Sequence, residues 1–268
     1  MKKNILLIFI ILISTAKSVA QDCDYTEYYS LVELANKNYS DKKYKEAEKN
    51  FKLAFATTEY PFGADLHLAF AVAQKRKNTK WAEQIAIRLA KGGIPLRYFR
   101  YHKKSEWYNK FNDDFNIYSD YYKENYNQEL RNRYVSLLNR DREFNSKYHD
   151  WRTRKIELTL VELINGATEI ISDFNQMTDK YGFPNEKLMG YHYVRRKNSI
   201  EQYHSGVLII HIYQRGVLVF ENEIYKIVCD GGLHPNFEET LKKIRGFGNS
   251  TGVEQEMKAR YAKYRGTQ

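Results

Sequence analysis

The chain has 268 residues, a net charge of +10 and a mean hydropathy of −0.68, with 23 tyrosines, 14 phenylalanines and only 4 prolines. That length holds one large core or two small ones. Abundant aromatic bulk with few chain breakers argues for helices and against an all-β sandwich, which needs many turns.

Met1-Lys2-Lys3 is a short basic start, Ile5 to Ile13 is a continuous apolar run, and Ser18-Val19-Ala20 precedes Gln21. This order predicts a secretory signal peptide over residues 1–20, cleaved after Ala20, and an exported protein, periplasmic or secreted. The apolar run is too short for an ordinary membrane span, and no later stretch is long and apolar enough for one. Gln21-Asp22 stand before Cys23, so the small residue that a lipoprotein anchor needs there is missing. Without Lys2, Lys3 and Lys17 the charge falls from +10 to +7. The remaining excess is interleaved with acids and reads as solvated helix faces. Arg195-Arg196-Lys197 is the densest basic cluster; it reads as a surface loop, and with export it argues against a nucleic-acid partner. Cys23 and Cys229 are the only cysteines. In an oxidising compartment they could form one disulfide, although the sequence does not place them close together.

In chain order, Tyr28 to Ala56 reads as a helical hairpin. Leu31, Leu34 and Ala35 line its first helix, Asn38 to Asp41 make the turn, and Tyr44, Ala47, Phe51 and Ala54 line the second. A second hairpin follows, with helices over Asp65 to Lys75 and Lys80 to Lys91, closed by Gly92-Gly93 and Pro95. Leu96 to Tyr126 is crowded with aromatic rings, which suit packing between two units. Glu129 to Tyr148 predicts a helix carrying Asp141-Arg142, with Leu130, Tyr134, Leu137 and Phe144 inward. From Trp151 the stripe Ile156, Leu160, Ile164, Ala167, Ile171, Phe174, Met177 and Tyr181 predicts one long helix ended by Gly182 and Pro184.

Beyond Gly190 the pattern is ambiguous. Ser199-Ile200-Glu201-Gln202 resembles a capping box that opens a helix through His204, Leu208 and His211. The β-branched runs within 207–228, broken at Gln214-Arg215-Gly216, allow a β-hairpin instead. Helix is the preferred reading, and a last helix starts at His234-Pro235 and runs to Arg245. The expected class is therefore all-α. It comprises a signal peptide (1–20), two helical hairpins (21–95), an aromatic-rich connector (96–127) and a C-terminal helical domain (128–268).

Ala47 and Phe51, with Pro61 nearby, resemble the small and aromatic positions of a tetratricopeptide repeat. From about Arg133 onward the chain resembles the bacterial domain-of-unknown-function family 6624. The matching pieces are Asp141-Arg142, Tyr181-Gly182-Phe183-Pro184, Gly190, Leu208-Ile209-Ile210-His211 and the closing Tyr264-Arg265-Gly266-Thr267-Gln268. The chain departs from the family at Lys242-Lys243 or Ile244-Arg245, where an acidic-basic pair is expected, and at Ile212-Tyr213, where polar residues follow the histidine. The resemblance implies a helical fold and export, and it transfers no activity.

The candidate site residues are His211 and Asp141 for general-base chemistry, with Arg142 and His204 as binding residues. No metal-ligand spacing, phosphate loop or nucleophile elbow occurs, so neither metal nor cofactor is expected. Two readings compete. The favoured one is an exported interaction or scaffold module whose hairpins hold a protein or peptide. The other is a hydrolase-like enzyme acting on cell-envelope material through His211 and Asp141.

Overall fold

A computed structural model describes residues 24–203, 205–215, 217, 219–245 and 259. It is all-α apart from one two-stranded hairpin. The first hairpin is α1 (Asp24–Ser40) and α2 (Tyr44–Ala56), the second α3 (Gly63–Lys75) and α4 (Thr79–Lys91). Ala47, Phe51 and Ala54 are fully buried, so α2 lies close against its neighbours along a small-large-small stripe. On α1 the buried side is Tyr25, Tyr28, Val32 and Ala35, whereas Leu34 is exposed, contrary to its expected inward position. Both turns close in the same way. Lys43 N–H donates to Asn38 O and Lys42 N–H to Tyr39 O; Asn78 N–H donates to Ala73 O and Lys77 N–H to Gln74 O. Lys42 and Lys77 carry the left-handed backbone that this helix ending demands, at φ 60° and 56°. Asn78 then caps α4 by accepting from Trp81 N–H, and donates to Glu48 on α2, tying one hairpin to the other.

The connector holds α5 (Leu96–Phe99), a 3-10 turn (Arg100–His102), α6 (Tyr108–Asp113) and α7 (Phe115–Asn125). Tyr98, Phe99, Trp107, Tyr108 and Phe111 are buried in the core of the two hairpins, and Tyr101 is exposed. The rings therefore serve packing. α8 (Gln128–Arg152) and α9 (Leu160–Tyr181) form an antiparallel pair that founds a second core.

The long helix expected from Trp151 is interrupted. Trp151 belongs to the end of α8, Arg154 takes φ 57°, and Lys155 N–H returns to Asp150 O. Thr159 then starts α9 with a capping box, its hydroxyl accepting from Glu162 N–H while the Glu162 carboxylate accepts from Thr159 N–H. Ile156 and Leu160, at the head of the expected stripe, are exposed; Ile164 through Met177 are buried as the period requires.

Past Gly182 (φ 83°) and Pro184 comes a short α10 (Glu186–Met189). The strands β1 (His192–Val194) and β2 (Ser199–Glu201) pair antiparallel, Tyr193 opposite Ile200. Ser199-Gln202 is thus no helix cap: Ile200 is needed as a strand residue whose side chain enters the hairpin core beside Gly63. α11 (Ser205–Gln214), α12 (Ile224–Cys229) and α13 (Phe237–Arg245) complete the second core, so 207–214 and 224–228 are helical and the described residues between them form no strand. No helix among the described residues is long and apolar enough to cross a membrane.

The two cores lock together through small residues. Tyr191 sits against Gly63 and Gly92, where an added Cβ would lie 2.7 Å and 2.2 Å from its ring. Its N–H donates to Gly92 O and its hydroxyl to Pro61 O. Gly231 makes similar room for Tyr25.

Candidate functional site

Two of the sequence candidates meet, and two residues not expected join them. Asp141 lies on the buried side of α8, and Asn145 follows one turn later on the same face. His211 lies on α11, and Arg215 follows one turn later, just past its end. Asp141 Oδ2 is 2.6 Å from His211 Nδ1 and accepts from Asn145 Nδ2 at 3.1 Å. Arg215 Nη2 donates to Asp141 Oδ1 at 2.8 Å and to Asn145 Oδ1 at 2.7 Å. The Arg215 guanidinium also lies over the Phe144 ring, 4.5 Å from its centroid.

The side chains of Asp141 and Arg215 keep 3% and 4% of their exposure, that of His211 25%. An ion pair sealed from water needs further hydrogen bonds, and Asn145 makes one with each partner, while Arg215 Nη1 stays buried without a partner. Burial lowers the Arg215 pKa, and the Asp141 carboxylate opposes that shift by favouring the cation.

The geometry selects the histidine tautomer. An ionised carboxylate only accepts, so a 2.6 Å contact requires the proton on Nδ1. The opposite tautomer would accept from Asn145 Nδ2, 2.6 Å away, but would aim a ring lone pair at the carboxylate. The repulsion from the anion is the larger effect, and Nδ1–H donates to Asp141. Nε2 is left with its lone pair, on a side chain that is only partly buried. Such a ring accepts a proton, and Asp141 then stabilises the resulting imidazolium.

Arg142 is exposed and takes no part: consecutive helix residues point about 100° apart, so Asp141 and Arg142 cannot share this site. Arg215 supplies the cation instead. The signal for it was present, since His211-Arg215 and Asp141-Asn145 are both four-residue spacings. His204, Cys23 and the closing Tyr264–Gln268 motif lie outside the described residues. Cys229 is disulfide-bonded. No group of three or more His, Cys, Asp or Glu side chains suited to a metal ion occurs among the described residues.

A cavity lies elsewhere, between the two cores. It measures about 310 Å³ and is lined by Tyr29, Phe62, Glu186, Tyr203, His234 and Phe237, among others. A shallower groove of about 280 Å³ runs along α2 and α4, between Lys52, Phe55, Trp81, Gln84 and Arg88.

Compared with models of protein families, with curated proteins and with solved structures, the chain gives no match.

Proposed function

We propose that this is an exported helical protein whose C-terminal core carries a general-base site at His211. One observation supports the reading above others: a sealed, fully hydrogen-bonded carboxylate orients a histidine side chain that itself keeps 25% of its exposure. In the reaction inferred, Nε2 takes a proton from a water molecule or hydroxyl as its oxygen bonds to an electrophilic carbon or phosphorus. Asp141 holds the imidazolium that forms, which returns the proton to the leaving group as the bond to that group breaks, and Arg215 holds Asp141 in place. The signal-like N-terminus directs this chemistry to cell-envelope material. The resemblance to family 6624 fits the same picture, because Asp141 and the apolar run ending at His211 belong to both the motif and the site.

The test is hydrolysis of an isolated cell-envelope fraction and of chromogenic esters and phosphodiesters by the purified chain. His211→Ala lowers the wild-type rate by about a hundredfold or more, and Asp141→Asn lowers it less. Equal rates for wild type and His211→Ala, with only a loss of stability, would reduce the cluster to a packing tie between α8 and α11.

A second reading concerns the hairpins. The equivalent turns at Lys42 and Lys77, and the α2–α4 groove with Trp81 at its wall, favour a tetratricopeptide-like surface that holds a protein or peptide segment. Trp81→Ala together with Arg88→Ala would then abolish partner capture without changing hydrolysis.

A further inference from the structure

The cavity between the two cores has a carboxyl group in its wall. Glu186 opens α10 and keeps only 4% of its exposure. Its Oε2 accepts from Gly63 N–H, the first residue of α3, at 2.7 Å. Its Oε1 is buried and has no hydrogen-bond partner. The backbone donor already occupies one oxygen; the other is sealed from water beside the cavity, and a donor there reaches it by a turn of the side chain.

No lysine, arginine or histidine among the described residues forms an ion pair with Glu186. The groups around it are acidic or phenolic: Asp65 on α3, Tyr29 on α1, Tyr60 before α3, and Tyr191 and Tyr203 flanking the β-hairpin. Lys187, the next residue, turns instead over the Tyr25 ring. Asp65 is itself held by the Tyr28 hydroxyl at 2.6 Å. The same wall presents ring faces: Tyr29 stands 4.3 Å from the His234 ring and 5.6 Å from Phe62. Aromatic faces and an unneutralised carboxyl attract one kind of ligand, a cation that also carries N–H donors. At about 310 Å³ the space is at the small end of ligand sites.

We propose that this cavity binds a small organic ammonium ion, its N–H donating to Glu186 Oε1 and its charge lying against Tyr29 and Phe62. The ammonium group belongs either to a free amine or to a lysine side chain of a peptide. Burial, with Asp65 nearby, raises the Glu186 pKa to about 8 while Gly63 N–H opposes the shift. Protonated Glu186 has lost the charge that the cation needs, so binding strengthens as pH rises.

Calorimetric titration of the purified chain with cyclohexylamine, cyclohexanol and N-acetyl-lysine amide tests this. The amine is expected to bind at one site, more tightly than the isosteric alcohol, its affinity rising by up to about tenfold per pH unit below the Glu186 pKa and levelling above it. Glu186→Gln removes that pH dependence and about nine-tenths or more of the affinity. Thr240→Lys, an exposed position on the cavity wall, places an ammonium group at the site without altering Glu186 and weakens the amine comparably. Binding of cyclohexylamine alone identifies a free amine as ligand; binding of the lysine amide extends the site to peptides. An amine that binds no better than cyclohexanol, a pH profile unchanged by Glu186→Gln, or binding unaffected by Thr240→Lys overturns the proposal.

Discussion

Asp141 and Glu186 are both sealed carboxyl groups, at 2% and 4% exposure, yet their surroundings differ completely. Asp141 is met by Arg215, His211 and Asn145, so both of its oxygens are engaged. Glu186 is met by one backbone N–H, and its other oxygen faces no partner. The contrast teaches that burial alone does not say what a carboxyl group is for. A compensated carboxylate can remain ionised and orient a neighbour. An uncompensated one is raised toward neutrality and stays open to an outside donor.

The comparison breaks first at Arg215. Arg215→Met leaves Asp141 sealed without its cation and is expected to cost about 3–5 kcal/mol in denaturant unfolding. Adding Asp141→Asn should recover much of that loss, since the uncompensated charge has gone. If Arg215→Met unfolds at the wild-type midpoint, the ion pair contributes nothing.

Glu186 provides the opposite case. Its folded pKa of about 8 lies above the ordinary carboxylate range near 4.5. Below about pH 4.5 the folded and unfolded groups are both protonated, and the shift costs nothing. Between there and pH 8 the unfolded chain gives up its proton while the folded one keeps it. Stability therefore falls as pH rises, by a few kcal/mol overall, and levels once the folded group ionises. Denaturant midpoints from pH 4 to 9 should show this slope in wild type, and Glu186→Gln should lose it above about pH 6 while the smaller slope from Asp65, raised to about 6 by burial, remains below.

The junction around Tyr191 is open to a steric test. Gly92→Ala introduces no backbone strain but drives a methyl into the Tyr191 ring, at an expected cost of about 1–3 kcal/mol in unfolding free energy. The smallest effect is remote from both carboxyl groups. Thr159→Ala removes one arm of the α9 capping box, for about 1 kcal/mol, and should leave hydrolysis and amine binding unchanged.

Much of the fold was legible along the chain. The stripes Ala47-Phe51-Ala54 and Trp81-Ile85-Leu89 repeat with the helix, and their burial follows. The break before α9 was also written, in Thr159-Leu160-Val161-Glu162, but the apolar period runs over it and hides it. Ser199-Ile200-Glu201-Gln202 misleads in the other direction. It carries the letters of a cap, yet Ile200 is drawn into a distant core and the segment pairs with His192–Val194.

Asp141 and His211, an acid on a helix and a histidine closing an apolar run, stood out as a candidate pair, and the structure brings them together. Arg215's replacement of Arg142 and Glu186's place beside the cavity did not stand out. The sequence by itself determined the helical class and the inward face of most helices, because helix periodicity is set within a few residues by backbone geometry. Only the tertiary structure decided which buried charges find partners. Those partners are contributed by helices far apart in the chain, and a charge is satisfied or left open by whatever the packing of two cores brings within about 3 Å of it.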